Sequence, residues 1–308
     1  MGGECLKPSV PVVLTVEEVE HEARDVYTLY LSVPEPAGAR GRGARCSSPG
    51  TTSPAPAGAG LNLLRFTPGQ FFMVWIPRMD EKPYAISSAE RRRVGITVQR
   101  RGPFSTRLTE LRPGARLGLR GPFGRGFGFI DRFADSDRVA LVGGGCGMAV
   151  LAPLAERLGR ATIVQGARTA DGLLFRDRFP TQVLFTDDGS AGRRGYPTDW
   201  LRERAEEGAL DIVYTCGPEV MMSRVADLCR EGGVRCQVCM ERYVKCGIGV
   251  CGQCDCDGRR ICLDGPVFDL HDLAEMPSFG RQRRDKTGRR IPVTPDESCP
   301  TAPESPDP

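Results

Sequence analysis

VALVGGGCGMAVLAPLAERL, Val139–Leu158, is where the chain changes its pattern. A short strand-like run enters a turn with glycine at 143, 144, 145 and 147, and the turn opens on apolar residues at helical spacing. Strand, glycine turn and helix in that order point backbone N–H groups and a helix N-terminus at a pyrophosphate. Glycine lets the backbone come close where a Cβ would collide. The same pattern also occurs without a ligand, so its neighbours matter. Downstream lie strand ATIVQGA, strand QVLFTDD, helix TDWLRERAEEG, strand DIVYTCG and helix EVMMSRVADLCREGG. Strands alternating with helices predict a parallel sheet covered on both faces. Two further turns, DDGS at Asp187–Ser190 and CGPEVMM at Cys216–Met222, fall at C-terminal strand ends, where such sheets bind ligands.

Upstream the period is two. Val10–Val33 alternates, as in TLYLSV, and the pattern resumes in QFFMVWI, GITVQRR and RLGLRG. Short strands separated by turns predict a small antiparallel β-barrel. Between them, residues 34–60 hold mainly Gly, Pro, Ala, Ser, Thr and Arg, with one Cys and no Val, Ile, Leu, Met or aromatic residue, which predicts a disordered insert. KPYAISSAE (Lys82–Glu90) and RGPFSTRL (Arg101–Leu108) each combine an aromatic ring with hydroxyls and a cation. Such groups can stack on a flat ring and hold a phosphate, although ordinary turn residues at a strand end would look the same. The expected organisation is an α+β multidomain chain: a barrel over 8–130, an α/β domain over 131–233, a small cysteine-rich domain over 234–279 and a disordered tail over 280–308.

With 42 basic and 39 acidic residues, the chain has no charge excess that argues for nucleic acid or an acidic membrane. The longest apolar run, Val139–Ala155, is too short for a membrane span and is interrupted by four glycines and Pro153. The N-terminal residues do not read as a signal peptide. Thirteen cysteines in that setting are expected to be metal ligands and buried thiols in the cytoplasm rather than a disulfide framework.

The most specific signal is KCGIGVCGQCDCDGRRICLDGPVF, Lys245–Phe268. Cys246, Cys251 and Cys254 follow the C-x4-C-x2-C spacing of plant-type [2Fe–2S] proteins. Glycines between them supply the positive φ values and N–H groups that a loop around a cluster needs. Four thiolates also suit zinc, but zinc ribbons usually pair two C-x2-C knuckles. Cys262 is the expected fourth ligand, because a hairpin through DGRR would return it to the loop. Cys256, two residues from Cys254, is the rival.

KCGIGVCGQC with CLDGPVF closely resembles the electron-transfer subunits of class 1B dihydroorotate dehydrogenase, in the ferredoxin–NADP reductase superfamily; the likeness runs from about Val10 to Leu273 without the insert. The resemblance implies a FAD site of Lys82, Pro83, Tyr84, Ala85, Ser87, Val98, Gln99, Arg100, Gly102, Ser105 and Thr106. It implies an NAD(H) site of Gly143, Gly144, Gly145, Gly147, Asp188, Cys216, Gly217, Pro218 and Met221. Lys82 and Ala85 stand where the family's flavin motif has Arg and Ser, so the bidentate fork and one hydroxyl are absent. The implied partner is an FMN-containing catalytic subunit that oxidises dihydroorotate, in a heterotetramer with two of each chain, for de novo pyrimidine (UMP) synthesis. Electrons would pass through the [2Fe–2S] cluster and FAD to NAD+, since a flavin exchanges both hydride and single electrons. No side chain is expected to act as a catalytic acid or base, and His21 and His271 are expected at the surface. Alternative readings are a reductase subunit of a hydrogenase or bifurcating transhydrogenase, and a zinc-stabilised scaffold without activity.

Overall fold

The computed structural model describes residues 10–34, 63–90 and 92–294; all but the first residue of the 34–60 insert, and the tail beyond 294, lie outside them. Strands β1 (Val12–Ala23), β2 (Val26–Ser32), β3 (Phe71–Ile76), β4 (Asp80–Glu90), β5 (Arg93–Gln99) and β6 (Arg116–Phe123) close a barrel in the order β1-β2-β5-β4-β3-β6. Every pairing is antiparallel. Alternate residues such as Leu29, Leu31, Phe72, Val74, Ile96 and Leu119 fill the interior, and helix α1 (Pro103–Thr109) adds Phe104 and Leu108 to the same core. Each such side chain contributes roughly 1.5–3 kcal/mol relative to exposure.

The sequence reading does not separate β4 from its neighbours, for a physical reason. Asp80–Ala85 pairs only with β3, and the ladder to β5 begins at Ile86. An edge with no partner tolerates Pro83, which has no N–H to give. The same edge leaves Lys82–Ala85 half-buried and accessible on one side.

In the second unit, β7 (Val139–Gly144), β8 (Thr162–Ala167), β9 (Val183–Thr186), β10 (Arg193–Arg194), β11 (Ile212–Cys216) and β12 (Arg235–Cys239) are parallel, in the order β10-β9-β8-β7-β11-β12. After the short α2 (Ile130–Phe133), α3 (Gly147–Leu158) packs with Leu141, Ile212 and Tyr214 on one face. Helices α4 (Pro197–Glu206) and α5 (Glu219–Glu231) pack with Ala140, Val142 and Val213 on the other. Strand order reverses between β7 and β11, which places the Gly143–Gly147 and Cys216–Pro218 turns side by side at the switch point.

The cysteine segment contains the hairpin β13 (Asp255–Cys256)–β14 (Arg259–Arg260), α6 (Ile261–Asp264), β15 (Val267–Asp269) and α7 (Leu270–Ala274). β15 returns to the nucleotide sheet as an antiparallel edge beside β12. Two expected boundaries therefore shift. Arg235–Cys239, read as the head of the cysteine segment, is a sheet strand whose short RCQVC run has no alternation to mark it. Residues 280–294, read as tail, carry the hairpin β16 (Gln282–Arg284)–β17 (Arg290–Pro292), held by ion pairs and amide bonds that hydropathy does not register. One core joins the three units: Phe71, Met73 and Phe123 of the barrel lie with Cys254, Ile261 and Cys262 and with Val225 and Leu228 of α5.

Candidate functional site

The thiols of the cysteine loop are free and stand in two hydrogen-bonding pairs, Cys246 with Cys251 and Cys254 with Cys262. The charge of Cys246 also reaches Cys262. The loop bends at Gly247, Gly249 and Gly252, with φ of +74°, +78° and +67°, values that only glycine adopts at little cost. The bends aim N–H groups inward: Gly249 donates to Cys262 Sγ at 3.2 Å. Burial pushes the Cys246 thiol up, but the N–H groups of Cys251, Ile248 and Val250 and the Cys251 thiol bring it down to about 7. The bond to Cys262, aided by nearby backbone N–H groups against burial, brings Cys254 down to about 6. Giving its hydrogen to that bond, and burial, push Cys262 up. In each pair one thiol is thus held below the usual cysteine range.

Cys256 sits elsewhere. Its Sγ lies 3.4 Å from Arg242 Nη2, and Arg242 pairs with Glu219 at 2.6 and 2.8 Å. That pair is almost fully buried. The hairpin of β13 and β14 stands between Cys256 and Cys262 along the chain.

The loop rests on the barrel. Arg120, buried in β6, donates to both Glu81 oxygens at 2.7 and 2.5 Å and to the Cys246 carbonyl at 3.2 Å. A Cβ on Gly247 would lie 2.9 Å from Met73 Cγ, so the loop lies directly on β3. Just before the loop, Tyr243 accepts from Lys82 Nζ at 3.4 Å, and Lys82 pairs with Asp80 at 2.5 Å. The first cysteine, the Lys82–Ala85 edge and residues 241–243 thus share one corner. Arg120, Glu81, Arg242 and Tyr243 were not expected at the site, because their partners are distant in sequence and no local pattern marks them.

Of the expected flavin residues, the structure brings several to this corner and turns others away. Tyr84 stacks on Phe104 with centroids 6.3 Å apart, and its hydroxyl, pushed up by burial, has no hydrogen-bond partner among the described residues. The Ser105 hydroxyl accepts from Arg101 N–H (2.8 Å) and Gly102 N–H (3.1 Å), fixing the entry to α1, where the Thr106 N–H donates to the Gly102 carbonyl at 2.9 Å. A Cβ on Gly102 would meet nothing within 4 Å, so protein packing does not require glycine there. Gln99 bridges the units, accepting from Arg101 Nε (2.8 Å) and from Cys146 Sγ (3.3 Å). Arg100 donates to Thr109 Oγ1 at 3.1 Å. The Ser87 hydroxyl is buried and accepts from Thr97 (2.8 Å), while Val98 is inside the barrel, so neither side chain faces the corner.

The glycines of the nucleotide turn divide by role. A Cβ at Gly147 would lie 2.2 Å from the Cys216 carbonyl oxygen, at Gly144 2.6 Å from Pro218 Cδ, at Gly217 2.8 Å from the Gly144 nitrogen, and at Gly143 3.1 Å from Met148 Sδ. These four glycines let the turns and α3 pack together, with Pro218 and Met221 against Gly144. Gly145, φ +49°, faces open space. Cys216 is buried at the end of β11. Asp188 is exposed, and Ser190 N–H and Oγ–H donate to it at 2.9 and 2.6 Å, holding it below the usual carboxylate range. His21 and His271 are both exposed.

Residues 241–274 match the family model of the iron-sulfur cluster binding domain of dihydroorotate dehydrogenase B. A probable dihydroorotate dehydrogenase B (NAD(+)) electron transfer subunit from Methanocaldococcus jannaschii is 41% identical over 235 residues, 73% of this chain and 88% of the relative. The chain belongs to this family of electron transfer subunits. A member from Methanopyrus kandleri is 45% identical over 235 residues, covering 73% of this chain and 87% of the relative. The structure of an NADH-dependent reduced ferredoxin–NADP oxidoreductase, described for flavin-based electron bifurcation, is 25% identical with a TM-score of 0.65 over 88% of this chain and 91% of that one. The family thus has the ferredoxin reductase fold, and among the described residues no helix is long and apolar enough to cross a membrane.

Proposed function

We propose that the chain carries electrons between an FMN-containing catalytic subunit of dihydroorotate dehydrogenase B and NAD, through a [2Fe–2S] cluster and FAD, in cytoplasmic UMP synthesis. Two copies would join two catalytic subunits. The observation that carries this reading is the shared corner: the cysteine loop rests on the barrel through Arg120 and Gly247, beside the open edge of β4. A flavin bound there would exchange hydride with a nicotinamide and single electrons with the cluster.

Cys246, Cys251, Cys254 and Cys262 would hold the cluster. A two-iron cluster takes two thiolates on each iron, and the thiols stand in two pairs. Tyr84, Gly102 and Arg101 fit a flavin and its pyrophosphate: a half-buried aromatic ring at the open edge, a glycine facing open space and a cation beside it. Lys82 stays protonated, because Asp80 and Tyr243 outweigh its burial. Gly145 leaves room for the nicotinamide dinucleotide, and the buried Gly147–Cys216 contact fixes the turn that presents it. A bifurcating reductase shares the fold at 25% identity, whereas relatives at 41% and 45% carry the dihydroorotate dehydrogenase name.

The test is co-purification with the catalytic subunit and an assay of dihydroorotate-dependent NAD+ reduction. The complex should reduce NAD+ and the isolated chain should not. A complex without that activity, or a Cys251→Ser complex with the wild-type rate, contradicts the reading.

A further inference from the structure

We propose that the hairpin Gln282–Pro292 is a docking element, the basic rim of a face whose apolar centre is the cysteine loop, and that this face receives an acidic surface of the catalytic subunit. The inference rests on the proposed function. It concerns residues beyond the matched cluster domain, which ends at 274.

The hairpin is built onto the loop. Gln253, between two of the cysteines, donates to the Asp285 carbonyl at 2.9 Å, and Arg284 faces Asp255 at 3.6 Å. Ser278 N–H and Oγ–H each donate to Asp257 at 2.7 Å at the base of the hairpin. At the tip, the Asp285 carboxylate accepts from Thr287 N–H (2.8 Å), Thr287 Oγ–H (2.6 Å) and Arg289 N–H (3.1 Å). A tip tied in this way presents its side chains in fixed positions.

The inward charges are used in that anchoring, and of the outward ones only Arg289 adds to it, its charge being the least of the groups that hold Asp285 below the usual carboxylate range. Lys286, Arg289 and Arg290 are exposed, and among the described residues none of them forms an ion pair. Exposed cations contribute little to folding and repel one another at this spacing. They are well suited to steering an anionic partner.

Beside them the loop exposes an apolar centre. Val250 is 79% exposed, Ile248 48% and Leu263 46%. Leu263 covers Gly249, where a Cβ would lie 2.9 Å from its Cδ2, so the three residues are contiguous around the exposed Cys251. An apolar centre within a charged rim is the anatomy of a protein interface, and a grouped exposed apolar patch marks one. The cysteine at its middle gives the partner's redox group the shortest approach.

The test compares wild type with a K286E/R289E/R290E variant, which keeps Arg284, Asp285 and Thr287 and so keeps the anchor. Flavin content, iron content and NADH-dependent reduction of a small dye should be unchanged. Association with separately purified catalytic subunit, followed by stopped flow at several salt concentrations, should slow by about 10-fold or more at low salt and lose most of its salt dependence. A charge-neutral K286Q/R289Q/R290Q variant should fall between the two. Equal rates and equal salt slopes in all three proteins overturn the role of the hairpin alone. Wild-type chain that does not bind the catalytic subunit at all overturns the proposed function and the docking role together.

Discussion

The chain has two glycine-rich loops, the nucleotide turn and the cysteine loop, and their glycines serve different purposes. In the nucleotide turn, Gly143, Gly144 and Gly147 are small because other protein atoms lie where a Cβ would go, the Cys216 carbonyl most closely at 2.2 Å. In the cysteine loop, Gly247, Gly249 and Gly252 all have φ between +67° and +78°, and a Cβ at Gly252 would meet nothing within 4 Å. The first loop uses glycine chiefly for close packing; the second uses it for curvature throughout and, at Gly247 and Gly249, also for packing against Met73 and Leu263. Of the glycines expected to line the flavin and nicotinamide sites, Gly145 and Gly102 are the two that face open space. A glycine-rich turn therefore indicates where a nucleotide can bind without indicating which glycines it touches.

The largest effect is expected where the two loops are joined. Arg242 links Glu219, at the start of α5 behind the nucleotide turn, to Cys256 on the cysteine hairpin. Arg242→Met leaves Glu219 buried without its partner and should cost about 3–5 kcal/mol in denaturant unfolding. An unchanged midpoint would show that the loops are held independently. Next, Gly147→Ala places a methyl group against backbone that cannot swing aside, and should cost roughly 1–3 kcal/mol or more and weaken NADH binding with it. Gly145→Val meets no such wall. It should cost about 1–2 kcal/mol for its left-handed backbone and still abolish most NADH affinity in a titration, with flavin and cluster spectra intact. The smallest effect belongs to Gly252→Ala, where only the backbone cost of about 1–2 kcal/mol applies and iron content should persist. If Gly252→Ala lost iron while Gly147→Ala kept full stability, the contrast between packing and curvature would be reversed.

The same contrast governs what could be read from the sequence. Strands β1, β2 and β5 announce themselves by alternation because each buries one face in the barrel, and β3 by a continuous apolar run because both of its faces are buried. β4 does not, because its first half has one neighbour and begins with Asp80, Glu81, Lys82 and Pro83. The cysteine spacing is legible because ligation chemistry fixes it. The supports of that loop are not: Arg120 reaches Cys246 across 126 residues, and Arg242 reaches Glu219 across 23, with nothing local to mark either. The hairpin of β16 and β17 looked like a solvated tail because its attachments are Gln253, Asp255 and Asp257 rather than apolar contacts.

The choice between Cys262 and Cys256 tests the account most directly, because it separates the paired thiols from the thiol beside Arg242. Iron content and the visible spectrum of Cys262→Ser and Cys256→Ser, each purified anaerobically, decide it. Cys256→Ser should retain the full iron content and the wild-type spectrum, while Cys262→Ser should lose both and keep its flavin. Loss of iron in Cys256→Ser with retention in Cys262→Ser would contradict the account.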